Sequence, residues 1–289
     1  MAAARSGEPP DPVSEYRVRA RNLSRQSANR IHDDAVARTY GYAGGLVAGT
    51  TVWAYMTHPL VAAWGLEWLA RATAHVRFLG PVYDGDEVSV RARGVGRSGG
   101  EAAGEIVTEV EAHTAREGLA ATAVTGLAWG APPPVPDPAA YPAAPLPPER
   151  AVATAERLAR LDPLGSPPLD LEESELARYA EEIAEPLGLY RGREAVPHPG
   201  LLLQQANRAL SENVALGPWV HVASDLSHCG LARAGERLST RGRVARLFER
   251  KGHRYVELDV LVVADGARPI LHVRHTAIWQ LKVKGGRDG

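Results

Sequence analysis

The sequence predicts an α+β fold, laid down twice. Each part of the chain carries one long apolar helix followed by alternating, strand-like runs. The parts match at a constant spacing. Gly80, Gly85, Asp86, Val88, Ser89, Arg91 and Arg93 stand 150 residues before Gly230, Gly235, Glu236, Leu238, Ser239, Arg241 and Arg243, and Trp129 stands 150 before Trp279. An ungapped match of this kind points to internal duplication. Between the parts runs a proline-rich stretch, where missing amide donors preclude helix and ladder alike. The expected division is an N-terminal unit over residues 1–130, a linker over 131–149 and a C-terminal unit over 150–289.

In the first part, residues 16–20 form a short strand and a polar segment leads to an apolar helix over 49–63. His58, Pro59, Trp64 and Trp68 close that helix and fill the core. Alternation then predicts strands over 88–95, 105–114 and 119–129, with glycine turns at 83–85 and 97–100. The second part opens with an amphipathic helix over 172–184. A second apolar helix follows over 199–214, with Pro199 in the first turn, where a missing amide costs least. Strands follow over 219–226, 238–248, 254–264 and 270–281. One sheet-and-helix layer leaves an edge open, and two copies on one chain close it.

The 289 residues are 45% hydrophobic and 23% charged, which is globular composition. Lys and Arg number 33 against 34 Asp and Glu, so no overall basic surface is available for a nucleic-acid backbone. The single cysteine, Cys229, excludes an intrachain disulfide and a Cys-rich zinc site. With no secretory pattern in residues 1–12, which read as a loose tail, a cytoplasmic location is expected. The longest apolar stretch, 46–64, includes Thr50, Thr51, Thr57, His58 and Pro59 and reads as a buried helix, so no membrane partner is expected. Neither a P-loop, a Gly-x-Gly-x-x-Gly turn, a Gly-x-Ser-x-Gly elbow nor a His-Glu-x-x-His helix occurs.

Chemistry concentrates ahead of the first apolar helix. Ser27, Asn29, Ile31, His32, Asp33 and Asp34 lead through Gly41, Gly44 and Gly45 to Gly49 and Thr50. Free amides at the start of that helix carry partial positive charge and suit a carbonyl oxygen or oxyanion. The order Asn-x-Ile-His-x-Asp, a Gly-rich approach to a helix, then Pro81-Val82-x-x-Gly85-Asp86 resembles the R-specific enoyl-thioester hydratases and MaoC-like dehydratases. The resemblance covers residues 22–129 and implies the hotdog fold, a long helix wrapped by an antiparallel sheet. The duplication implies a double hotdog with one degenerate half.

Carried over residue by residue, the resemblance makes His32 the catalytic histidine, Asn29 its positioning amide and Ile31 the apolar position of the motif. Arg30 replaces the family's proline, and Ser27 stands where the family has its catalytic aspartate. The family's aspartate and histidine deprotonate the water that adds to a double bond, while a helix-start amide, here Gly49, polarises the thioester carbonyl. Serine can bind a water but is no base near neutral pH, which leaves His32. Asp34 and Thr50 are further substrate-binding candidates. Arg91 and Arg93 share one strand face with two readings: contacts to the phosphates of a coenzyme A or carrier arm, or a solvated outer face.

The expected activity is hydration or dehydration of an acyl thioester. No metal or redox cofactor is needed, and coenzyme A or phosphopantetheine enters as part of the substrate. The expected partner is an acyl-CoA or an acyl-carrier protein, and a homodimer remains open. Two alternatives stand: an acyl-binding hotdog protein without catalysis, favoured by Ser27, and a thioesterase, which would need Asp33 or Asp34 near the carbonyl. In the second part Tyr179 falls opposite His32, His198 matches Ala48, and Gln204, Gln205 and Asn207 ride the second helix. The lost site there is expected to serve as room for an acyl tail.

Overall fold

The computed structural model describes residues 15–99, 103–130 and 134–282. The tail over 1–12, Gly100 of the second turn and residues 131–133 of the linker lie outside them.

The first half runs β1 (Glu15–Arg19), α1 (Asp34–Thr39), α2 (Gly49–Arg71), β2 (Thr73–Phe78), β3 (Glu87–Gly99), β4 (Gly104–Thr114) and β5 (Gly118–Trp129). The second runs α3 (Ala155–Leu158), β6 (Leu169–Asp170), α4 (Glu173–Glu182), α5 (Pro199–Ser211), β7 (Val220–His228), β8 (Arg237–Arg250), β9 (His253–Ala264) and β10 (Arg268–Gln280). All ten strands form one sheet in the order β1-β3-β4-β5-β2-β7-β10-β9-β8-β6. That order pairs each strand with its counterpart about the antiparallel β2–β7 contact. His75 lies opposite Asp225 there, and these residues are themselves 150 apart. α2 and α5 start 150 apart, and Gly85 and Gly235 turn with φ of 83° and 90°. The sequence repeat is therefore a pseudo-twofold axis through the centre of the sheet.

α2 outruns its expected end. Pro59 removes one donor and would ordinarily break the helix, yet the helix passes through it to Arg71, kinking at Gly65 with φ 53°. Trp53 and Trp68, both fully buried, hold it in the core, and α2 packs on α5 against the inner face of the sheet. β2 has no predicted counterpart: it follows α2 after Ala72 alone, and only Ala74 and Val76 alternate inward between His75 and Arg77.

The linker is more than a spacer. It forms a 3-10 turn over Pro138–Ala140 and lays Tyr141 against Leu261 and Val263 on the outer face of β9. The Tyr141 hydroxyl donates to Asp259 Oδ1 at 3.0 Å, and Asp259 also receives His272 Nε2 at 2.7 Å and Arg243 at 2.7 Å. Burial would raise the Asp259 pKa, but these donors hold it down to about 2. β9 is buried on both faces from Leu258 to Ala264, where this strap covers the outer one. No helix among the described residues is long and apolar enough to cross a membrane.

Candidate active site

Asn29 starts the site. Its Oδ1 accepts from Ile31 N at 3.3 Å and caps the 3-10 turn Arg30–His32. The same amide bonds both ways to the second half: Nδ2 donates to Trp219 O at 2.9 Å and Oδ1 accepts from Trp219 N at 3.1 Å. Buried Ile31 anchors the turn and sets His32 on the wall of a cavity.

His32 Nδ1 donates to Leu46 O at 2.7 Å. A carbonyl can only accept, so the proton resides on Nδ1 and Nε2 keeps its lone pair. Burial lowers the His32 pKa, against a smaller opposing effect of the Leu46 bond, so the ring is neutral near pH 7. The Nε2 lone pair accepts a long bond from the Asn29 amide, Nδ2 donating to it at 3.4 Å. The His32 carbonyl accepts from Asn22 Nδ2 at 2.9 Å and packs so tightly on Gly45 that a Cβ there would overlap it. Asp34 Oδ1 accepts from Gly45 N at 2.8 Å, fixing that glycine approach.

Gly49 opens α2. Ala48, its N-cap, offers no side-chain bond, and Gly49 N–H meets no acceptor among the described residues. A Cβ on Gly49 would come within 3.0 Å of His221 Nδ1 and 3.2 Å of Phe78 Cε2, so a side chain there would crowd both rings.

The cavity beside these groups holds about 240 Å3 and takes its walls from both halves. Asn29, His32, Gly49 and Phe78 face Asn207, Trp219, His221 and Ile278. His221 Nε2 pairs with Ser224 Oγ at 2.9 Å, and that hydroxyl pairs with His275 Nδ1 at 3.1 Å. His221 Nδ1, His275 Nε2 and Asn207 Oδ1 are buried without partners. Burial, then the neighbouring His275, depresses the His221 pKa well below its usual value, and burial pushes His275 down to about 3.

Other expected site residues are placed elsewhere. Ser27 Oγ donates to Asn29 O at 3.3 Å, and Ser27 is absent from the cavity wall. Thr50 lines a separate cavity of about 360 Å3 with Tyr179, Gln204 and Arg208. Asp33 caps α1 through Val36 N at 3.0 Å and pairs with Arg30 at 2.9 Å. Arg91 and Arg93 stand exposed on β3, beside Glu15 at 3.8 Å and Glu109 at 2.8 Å, away from the cavity. The place matching His32 in the second half carries Tyr179, on the wall of that larger cavity. Tyr179 Oη packs where a Cβ on Gly200 would come within 2.5 Å, and His198 Nδ1 accepts from Gly200 N at 3.1 Å.

His221 escaped sequence reading for a physical reason. Thr276 pairs with Ala223 but Ala277 pairs with His221, so β7 carries Val222 as an extra, bulged residue. The bulge turns both His221 and Ser224 inward, which strict alternation forbids.

Neither a family model nor a curated protein matches this sequence. Solved structures do match. One, from Chloroflexus aurantiacus J-10-fl and assigned as a MaoC domain dehydratase, aligns at a TM-score of 0.66 and 11% identity over 98% of this chain and 100% of its own. A conserved hypothetical protein from Mycobacterium tuberculosis, described as having a double hotdog fold, aligns at 0.61 and 18% over 94% of this chain and 98% of its own. A Lactobacillus plantarum protein named as an oleoyl thioesterase aligns at 0.53 and 10% over 93% and 97%. At such identities the likeness is one of fold, and the fold of this chain is the double hotdog.

Proposed function

We propose that the chain hydrates or dehydrates an acyl thioester, with His32 as the general acid and base. One observation carries this: a neutral histidine, its Nε2 lone pair held on a cavity wall, shares that cavity with the unpartnered N–H of Gly49. In hydration, His32 Nε2 takes a proton from water as the oxygen bonds to the β-carbon of an enoyl thioester. The electron pair of the double bond moves towards the carbonyl, whose oxygen gains negative charge beside Gly49 N–H. His32 then returns the proton to the α-carbon. Dehydration reverses these steps. Developing charge on that oxygen is the costly feature, and one backbone donor there is worth several kcal/mol. Asn29 positions the turn that carries His32. Coenzyme A or a carrier-bound phosphopantetheine would bring the acyl group.

Thioester hydrolysis is the second reading, supported by the thioesterase among the fold relatives. Among the described residues the cavity wall carries no carboxylate, and Asp33 and Asp34 are engaged in capping and loop bonds, which favours the first reading.

Crotonyl-CoA hydration, followed as loss of enoyl absorbance, tests the proposal against His32→Ala. Activity lost in the variant is expected. Release of free thiol from butyryl-CoA without hydration would favour hydrolysis, and binding without turnover would favour an acyl-binding protein.

A further inference from the structure

Two buried, unpartnered groups on the cavity wall remain without a role, Asn207 Oδ1 and His221 Nδ1, and the second lies beside the start of α2. His221 Nδ1 has no partner, and it comes within 3.0 Å of where a Cβ on Gly49 would stand, so ring and helix start share one corner of the cavity.

The protonation of that nitrogen follows from the chain His221, Ser224, His275. Both rings are neutral, so each carries one N–H, and the serine adds one O–H. Two of these three hydrogens fill the two contacts to Ser224 Oγ. If both rings donated to Oγ, the serine O–H would have no acceptor among the described residues, so the third sits at one end of the chain, on His221 Nδ1 or on His275 Nε2. His275 is fully buried and absent from the cavity wall. An orphaned N–H deep in a protein is rarer than an unsatisfied acceptor. The favoured arrangement has His275 Nδ1–H donating to Ser224 Oγ and Ser224 O–H donating to His221 Nε2. It leaves a bare lone pair in the core and puts the N–H on the ring that lines the cavity.

We propose that His221 Nδ1–H and Gly49 N–H together receive the carbonyl oxygen of the bound acyl group, making His221 a catalytic residue supplied by the half of the duplication that has lost its own site. Ser224 and His275 are positioning residues that fix the His221 tautomer. This assignment rests on the acyl-thioester reading above. A second, rigid donor beside the amide would complete an oxyanion site that one N–H leaves half occupied.

Two measurements test it. The first needs no ligand: the nitrogen-15 shifts of the His221 ring in the intact protein. A protonated Nδ1 with a bare Nε2 is expected, and the reverse tautomer overturns the proposal. The second uses butyryl-CoA carrying carbon-13 at the carbonyl, read by isotope-edited infrared spectroscopy. The carbonyl band of the bound ligand should lie below that of the free ligand in the natural protein and move back towards it in His221→Phe. Ser224→Ala, which releases the tautomer, should move it partway and serves if the phenylalanine variant does not fold. Crotonyl-CoA turnover should fall about 100-fold in His221→Phe with a smaller change in KM. Binding and turnover with a band that ignores both variants would overturn the His221 assignment alone. Absence of both binding and turnover in the natural protein would overturn the thioester reading, and this assignment with it.

Discussion

Replacing Asn29 with alanine separates its two duties. The side chain caps the turn that carries His32 and makes two bonds to the backbone of Trp219, 190 residues away, at the entry to β7. Loss of a cap costs about 1 kcal/mol. Loss of both partners of a largely buried peptide group costs about 1–3 kcal/mol for each atom left unsatisfied. The cavity admits some water to the gap, so the lower end applies, and the expected loss is about 3 kcal/mol. Ser27→Ala is the control: its hydroxyl makes one long bond to Asn29 O, and its removal should cost less than about 0.5 kcal/mol. Urea unfolding followed by tryptophan fluorescence measures both. An Asn29→Ala loss below about 1 kcal/mol would refute the view that this amide joins the two halves.

The rate should report His32 through pH. Its pKa is depressed by burial, so the base is neutral above it: activity should rise with pH below about 6.5 and show no His32 limb above that value. A limb above pH 7 would remove His32 from that role. Stability should fall with acid for a related reason. Burial holds His228 at about 4 and His275 at about 3, so between those values and about 6.5 the unfolded chain binds more protons, and unfolding free energy should drop by several kcal/mol from pH 7 to pH 4. A flat profile over that range would contradict their burial as neutral rings. Gly49→Ala and Gly49→Pro add a Cβ at the same place, but only proline removes the N–H. Both should slow turnover, and equal rates would show that the amide takes no part. Tyr141→Phe should cost about 1 kcal/mol in urea unfolding, through the lost bond to Asp259, and no loss would mean the strap is held by packing alone.

Much of this fold is legible in residue order, because duplication repeats every local signal. Alternation marks β4 and the first halves of β3 and β8, and the starts of α2 and α5 carry Gly49 and Pro199 at the repeat spacing. What local patterns miss is what tertiary packing decides. Pro59 reads as an ending, but Trp64 and Trp68 have nowhere else to be buried, so the helix continues. β2 is too short and too polar to stand out, yet it forms the junction of the halves. The same holds at the site. His32, Asn29 and Gly49 stand close together in sequence and line one cavity, whereas Arg91 and Arg93 share an exposed face away from it. His221, Asn207 and the Trp219 backbone reach the cavity from the other half, which no spacing in the first half records.

The two helix starts explain why a symmetric fold keeps an asymmetric cavity. At α2, Gly49 N–H is open and Ala48 supplies no cap. At α5, Pro199 occupies the matching place and has no N–H, and the next amide, of Gly200, is taken by His198 Nδ1. An uncapped start costs about 1 kcal/mol against a capped one, so α5 is the more stable arrangement and α2 the one that keeps an open donor. Buried groups complete the difference. Tyr179 stands opposite His32 and packs on Gly200, while Glu185, bonded by His58 at 3.0 Å, sits 3.7 Å from His198. The second half lines the larger cavity with Tyr179, Gln204 and Arg208, and its β7 closes the cavity of the first half. Such a division follows once one site suffices. On the proposed function, the half free of chemistry can settle into its most stable packing, while the other half keeps an unsatisfied amide for the substrate carbonyl.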